Sequence, residues 1–347
     1  MDISILIPMY NSENYIARCL ESILNQGIPE QDYEIIIIDD GSEDGSIKIV
    51  KSFIETHPNI KLYSQENTGA YSTRNRLLEM AKGTYIYGVD ADDYLNNNCL
   101  KKLVDFAKTH QLDVLGFDVQ KTYKRDTVDL KIPIEKVNNP KITDGFTFLK
   151  KNPNHRVEIW WYLVKREFLN TNRMRFGKNE HNADVLFTLE VFLKAKRIAY
   201  FPVVVYHYFQ SEDSIMRGES LEKRKRYVRF FHLMIVDFSF LINKLTKESF
   251  PHRDQILKNF RQRRDYFLFF LIFKMIKCEP ITSIKSKLNQ LNQLGAYPIT
   301  NKIGIKPISV RFRILNFIVN KKTIIYLITV GYNFLYKIKR PGSDQPK

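Results

Sequence analysis

Through the first hundred residues, short apolar runs alternate with stretches in which apolar positions recur every three or four residues. The runs Ile3 to Ile7, Tyr33 to Ile38, Ile60 to Tyr63 and Tyr85 to Val89 are rich in β-branched and aromatic residues and predict strands. Segments 12–25, 44–56, 70–82 and 96–109 carry the helical period. Strand and helix in this rhythm predict an α/β fold, a doubly wound, mostly parallel sheet with helices on both faces. The run Glu34 to Ile38 lacks polar alternation, as a central strand covered on both faces would. Further on, Val114 to Tyr123 predicts a fifth strand and 124–143 a polar connection that contains proline. An aromatic run follows at Ile159 to Val164, then a helix over Ala183 to Lys196 and an apolar run from Ile198 to Tyr208. Beyond Met216 the pattern becomes long and helical, at 219–245 and 252–277. Two domains are expected, 1–216 and 217–347, the second α-helical.

In open parallel sheets, ligands bind outside the carboxyl ends of the strands. Polar clusters stand at all four of those ends here: Pro8 to Asn11, Asp39 to Ser42, Glu66 to Gly69, and Asp90-Ala91-Asp92-Asp93. An Asp-x-Asp at a strand end suits Mg²⁺ or Mn²⁺, which bind one or two protein carboxylates and complete their shell with phosphate oxygens. The same triplet also suits a strand-ending turn with solvated acids. Tyr10 offers a ring face for a base, and Glu13 or Asp40 offers a carboxylate for ribose hydroxyls or a base N–H. Arg74, with Asn75 beside it, has the planar guanidinium that grips phosphate or carboxylate in two places. Asp184 stands at a helix start, where the helix dipole alone favours an acid. Trp160 and Trp161 fit either an acceptor wall or a core.

The ordered set resembles family 2 glycosyltransferases, inverting enzymes of the GT-A fold, across about residues 3–216. It comprises Pro8-x-Tyr10-Asn11-x-Glu13, Ile38 to Ser46, Asn67-x-Gly69, Arg74-Asn75, Gly83, Asp90-x-Asp92-Asp93, Asp184 to Phe187 and Tyr206-His207-Tyr208. The resemblance implies a nucleotide-sugar site of Pro8, Tyr10, Asn11, Glu13, Asp40, Asn67, Arg74, Asp90, Ala91 and Asp92. It also implies a divalent Mn²⁺ or Mg²⁺ held by Asp92 with His207 as a further contact, and Asp184 as catalytic base. Where the family often carries Glu-Asp, this chain has Ala183-Asp184, and Glu180 or His181 could take the sugar-side contact. The implied reaction moves a sugar from a nucleotide diphosphate, a UDP-sugar by expectation, to a hydroxyl of a saccharide or lipid-linked saccharide in surface polysaccharide synthesis. Two rivals stay open. One is a nucleotidyltransferase, although no glycine-rich phosphate loop with a lysine follows the first strand. The other is a non-catalytic sugar-nucleotide or membrane-binding scaffold.

Charge changes the picture only for the second domain. Of the net +16, residues 217–347 hold 27 Lys or Arg against 8 Asp or Glu, a balance of +19, which leaves −3 for residues 1–216. Aromatic apolar runs flanked by basic clusters, such as Phe267 to Phe273 behind Arg261 to Arg264, suit a helix lying on an anionic membrane surface. A packed helical appendage with a solvated basic face is the alternative. No nucleic-acid partner is expected, because no recognised module accompanies the charge. Three scattered cysteines give neither a disulfide framework nor zinc spacing. The first residues lack the pattern of a secretion signal, so a cytoplasmic protein is expected, peripheral on the inner face of the membrane.

Overall fold

A computed structural model describes residues 1–123, 134, 137–177, 183–210, 220–300 and 310–339. The chain forms two compact units, residues 1–149 with 155–211 and residues 150–154 with 212–347.

The first unit is built on strands β1 (Ile3–Met9), β2 (Tyr33–Asp39), β3 (Ile60–Ser64), β4 (Tyr85–Gly88), β5 (Tyr94–Leu95), β6 (Val114–Thr122), β7 (Tyr162–Lys165) and β8 (Ile198–Phe209). Its helices are α1 (Ile16–Leu24), α2 (Ser46–Ile54), α3 (Ala70–Met80), α4 (Leu100–Thr109), α5 (Gly145–Lys151), α6 (Arg166–Thr171) and α7 (Ala183–Lys194). One sheet holds all eight strands in the order β3-β2-β1-β4-β7-β6-β8-β5. Strands β3, β2, β1 and β4 run parallel, as the periodicity predicts. The remainder is mixed rather than parallel: β7 enters antiparallel between β4 and β6, β8 runs parallel to β6, and β5 pairs antiparallel with β8. The two-residue β5 gave no periodic signal. It exists because the chain leaves the Asp triplet beside the distal half of β8, where Tyr94 faces His207.

The core follows the apolar runs, with Ile3, Ile5 and Ile7 of β1 and Ile35 to Ile38 of β2 buried. At the sheet edge opposite the polar turns, the buried Glu34 accepts hydrogen bonds from Ser4 Oγ at 2.7 Å, Lys61 Nζ at 2.7 Å and the Lys82 amide at 2.9 Å. Gly83 passes so close to β1 that a Cβ there would sit 2.4 Å from the Ser4 nitrogen, which fixes how α3 returns to the sheet.

The second unit is helical, as expected: α8 (Leu221–Thr246), α9 (Arg253–Cys278), α10 (Ile281–Gln293), α11 (Val310–Val319) and α12 (Lys322–Lys339). Ser220 caps α8 by accepting the Lys223 amide. Helices α8 and α9 meet through ring pairs such as Phe238 with Phe260, 5.5 Å apart. Arg264 and Asp265 are buried together in α9, with Nη2 3.0 Å from Oδ1. Among the described residues no helix is long and apolar enough to cross a membrane. Phe317 of α11 and Leu327 of α12 are nevertheless 58% and 68% exposed.

Candidate active site

Because β1, β2, β3 and β4 run parallel, the turns that follow them meet at one edge of the sheet. The first two turns are stitched together by side chains that grip backbone amides. Asn11, at a left-handed φ of +46°, donates its amide to Ser42 Oγ at 2.8 Å and accepts the Glu43 amide on Oδ1 at 2.9 Å. Glu13 donates its amide to Asp44 Oδ2 at 3.0 Å, and its own Oε2 accepts the Gly45 amide at 2.8 Å. Asn11 and Glu13 therefore shape the turn that the resemblance assigns to the nucleotide. Tyr10 projects from this turn half exposed, with its ring face available to a base. Pro8 lies beneath, in the wall of a small apolar cavity that Arg74, Leu77 and Tyr162 also line.

Asp40 is buried and grips the third turn. Its Oδ1 accepts from the Thr68 amide at 2.9 Å and Gln65 Nε2 at 2.7 Å, and its Oδ2 accepts from the Gly69 amide at 2.9 Å. Asn67 sits exposed on the same turn. Gly69, at φ +86°, then turns the chain into α3.

Helix α3 presents Tyr71, Arg74 and Asn75 on one face, at the i, i+3, i+4 spacing of helix neighbours. Arg74 Nη2 pairs with Asp90 Oδ1 at 2.6 Å. Asn75 exchanges two hydrogen bonds with the Phe176 backbone, at 2.9 and 2.8 Å. The Tyr71 hydroxyl donates to Asp184 Oδ1 at 3.0 Å. Asp184, in the first turn of α7, has its pKa pushed up to about 6 by burial, against the opposing pull of the Arg74 charge and the Tyr71 hydrogen bond. Glu180 and His181 lie outside the described residues.

The three aspartates after β4 differ. Asp93 is wholly buried and accepts the Phe209 amide at 2.7 Å and a short hydrogen bond from the Tyr206 hydroxyl. Burial, then the neighbouring Asp92 and Asp90 charges, raise its pKa. It is a structural acid. Asp90 faces Arg74, Ala91 is buried, and the Asp92 carboxyl is pushed up to about 6 by burial and by the Asp90 charge. The Asp92 backbone carbonyl accepts Arg18 Nη2 at 3.0 Å, and the Arg18 guanidinium lies over the Tyr94 and Phe209 rings at 4.4 and 4.6 Å. Trp160 stacks flat on Tyr206 at 5.0 Å, and Trp161 on Phe192 at 5.0 Å. Both tryptophans are buried, so the core reading applies to them.

Among the described residues, no group of three or more His, Cys, Asp or Glu side chains is set to hold a metal ion. His207 is buried, stacked on Tyr94 at 4.7 Å, with Nε2 2.9 Å from Asn96 Oδ1. Burial and the Arg18 charge lower its pKa to about 4, which keeps the ring neutral, and its Nδ1 has no hydrogen-bond partner. The oxygen donors Asp90 and Asp92 do fit a cation that takes few protein ligands and fills its shell with phosphate oxygens. A carboxyl whose pKa burial and the Asp90 charge raise despite Arg18 and Arg74 is what such a cation would relieve.

Tyr71 and Arg18 were not foreseen as site residues, and Asn75 and Tyr206 stood in the quoted motifs without an assigned role. Tyr71 and Asn75 share a helix face with Arg74, a signal that the sequence did carry. Arg18 acts through aromatic rings from α8's predecessor strand and from β5, which only the folded chain brings together.

Residues 4–173 match the family described as Glycosyl transferase family 2. The chain is 29% identical over 242 residues to the uncharacterized glycosyltransferase YibD of Escherichia coli, covering 67% of this chain and 70% of that protein. It is 32% identical over 226 residues to the poly(ribitol-phosphate) beta-glucosyltransferase of Bacillus spizizenii, covering 61% of this chain but only 33% of that protein. In fold it is similar to the crystal structure of S. aureus TarS 1–349, at a TM-score of 0.65 and 22% identity over 99% of this chain and 92% of that one. Profile match, curated relatives and sheet architecture agree, and the chain belongs to the family 2 glycosyltransferases, enzymes of GT-A fold.

Proposed function

We propose that the chain transfers a sugar from a UDP-sugar to an acceptor hydroxyl with inversion, in surface polysaccharide or glycolipid synthesis. The observation that carries this reading is that one helix, α3, holds Asp90 through Arg74 and Asp184 through Tyr71. A donor-side acid and a candidate base thus share one rigid support. Pro8, Tyr10, Asn11, Glu13, Asp40 and Asn67 would form the nucleoside side of the pocket, and Arg74, Asp90, Ala91 and Asp92 its diphosphate side. The relatives favour a UDP donor and a polyol-phosphate or polysaccharide acceptor: a TarS 1–349 structure was solved with UDP, and the B. spizizenii relative is a poly(ribitol-phosphate) beta-glucosyltransferase.

In this reading the acceptor oxygen attacks C1 of the sugar as its proton passes to Asp184. The bond from C1 to the diphosphate oxygen breaks, and its electron pair leaves with UDP. A divalent Mn²⁺ or Mg²⁺ held by Asp92, with His207 Nδ1 as the further contact suggested by the resemblance, would supply charge neutralisation to the departing diphosphate. Arg74 adds fixed positive charge at the same place.

Asp184→Asn tests the reading. Turnover of the UDP-sugar should fall by about 10²-fold or more while calorimetry shows unchanged donor affinity. Near wild-type turnover in the variant would remove Asp184 from the mechanism. In the unmodified enzyme, a base with a pKa of about 6 makes turnover rise as pH climbs through that value, because only the ionised carboxylate accepts the proton.

We assign this chemistry to residues 1–216 and membrane attachment to residues 217–347. The balance of +19 and the exposed Phe317 and Leu327 support a peripheral place on an anionic, cytoplasmic membrane face, where a lipid-linked acceptor would be presented.

A further inference from the structure

Tyr71 takes no part in the site as the sequence described it, yet it makes the hydrogen bond that reaches Asp184 from α3. Its ring is packed by two neighbours. It stacks on Phe176 at 6.0 Å with 29° between planes, and Phe176 in turn stacks on Phe187 of α7 at 4.1 Å. The Arg74 guanidinium lies over the ring, 5.4 Å from its centre. The backbone of Phe176 is itself clamped by Asn75. A phenol held in this way has little freedom to point elsewhere. Burial, and then the Asp184 charge, raise its pKa, so at neutral pH it remains an O–H donor.

We propose that Tyr71 is a positioning residue for the base: its O–H holds Asp184 Oδ1 and leaves Oδ2 as the oxygen that takes the acceptor's proton. The inference rests on Asp184 being the base. A carboxylate with one oxygen tied can rotate only about that bond, so the second oxygen meets the acceptor in a narrow range of directions. The donated hydrogen bond also favours the ionised form and opposes the burial that makes Asp184 a weaker acid. Among the described residues, the other charged or titratable groups that act on Asp184 are Arg74 of α3, which favours ionisation, and Glu158 before β7, which opposes it. Tyr162 of β7 also feels the Asp184 charge, and its hydroxyl is paired with Thr188 Oγ1 at 3.1 Å. Within α7 the Val185 amide also bonds the Asp184 carboxylate, and Tyr71 is the side chain that anchors it from another element.

Tyr71→Phe keeps the ring stack and removes only the hydroxyl. It should lower kcat for UDP release from the UDP-sugar by about tenfold to a hundredfold, with KM for the donor within about twofold, and should move the acid limb of the kcat profile to higher pH. A second readout needs no turnover. The carboxyl C=O band that Asp184→Asn removes from the infrared pH-difference spectrum should titrate near 6 in the unmodified protein and at higher pH in Tyr71→Phe. An unmoved band, or a lower kcat with an unmoved acid limb, would mean that Tyr71 only packs, and would overturn the inference. If Asp184→Asn keeps its turnover, the base assignment fails whatever Tyr71→Phe does. If Asp184→Asn is inactive and Tyr71→Phe is normal in both readouts, only the positioning role fails.

Discussion

Asp90, Asp92 and Asp93 are close neighbours in the chain, and the fold separates their work. Asp93 turns inward and spends its oxygens on Tyr206 and the Phe209 amide. Asp90 is held by Arg74, and the Asp92 carboxyl stays crowded by the Asp90 charge with its backbone carbonyl tied to Arg18. Asp92 is therefore the acid with most to gain from a bound cation. Replacing Asp92 with Ala should abolish Mn²⁺-dependent UDP binding and leave the circular dichroism spectrum unchanged. Equal Mn²⁺-dependent affinity in calorimetry would move the cation to another ligand. Asp93→Ala should behave differently and lose stability, since it strips partners from a buried hydroxyl and amide.

At the scale of elements, the parallel half of the sheet was legible because Ile5 to Ile7 and Ile35 to Ile38 are apolar without a break, as a strand covered on both faces requires. The antiparallel entry of β7 was not legible. Its apolar run fits either direction, and direction is set by which neighbours, β4 and β6, flank it. In the site, Arg74 and the Asp triplet announced themselves by residue type. Tyr71 shared the helix face of Arg74, but that spacing gives no hint of a partner 113 positions away. Glu34, inside an isoleucine run, reads as an oddity until Ser4, Lys61 and the Lys82 amide are seen around it. Burial alone would raise its pKa, but the hydrogen bonds from Lys61, Ser4 and the Lys82 amide outweigh burial and lower it. Because the folded value lies below the unfolded one, the stabilisation is present above the unfolded carboxylate pKa and is lost as pH falls through the folded one. Lys61 is about a third exposed, so the ion pair itself is screened, and the loss comes mainly from the buried hydrogen bonds. Glu34→Gln should cost about 2 kcal/mol at pH 7. Urea unfolding should show that difference shrinking below about pH 4; equal midpoints at pH 7 would count against the network.

For the whole chain, charge is divided along the sequence: −3 for residues 1–216, which carry the turns of the site, and +19 for residues 217–347. With Phe317 and Leu327 exposed in the basic part, the chain should sediment with vesicles rich in anionic lipid, at about 1 kcal/mol for each Lys or Arg at the surface, and release as salt rises. Neutral vesicles should bind it weakly. A chain that ignores both at low salt would make residues 217–347 a packing or partner surface, and the lipid-linked acceptor would lose its support.

The amide-gripping side chains of the proposed nucleotide edge have a practical cost for anyone who reads function from mutational scans. Asn11, Glu13, Asp40 and Asp44 each hold a neighbouring turn by its backbone. Substituting any of them deforms a wall of the pocket even where that side chain never meets a nucleotide. Loss of activity there reports broken scaffolding and lost recognition in a single number. Under the proposed function, Tyr10 and Asn67, exposed on the first and third of those turns, are the positions where a substitution would interrogate the ligand alone.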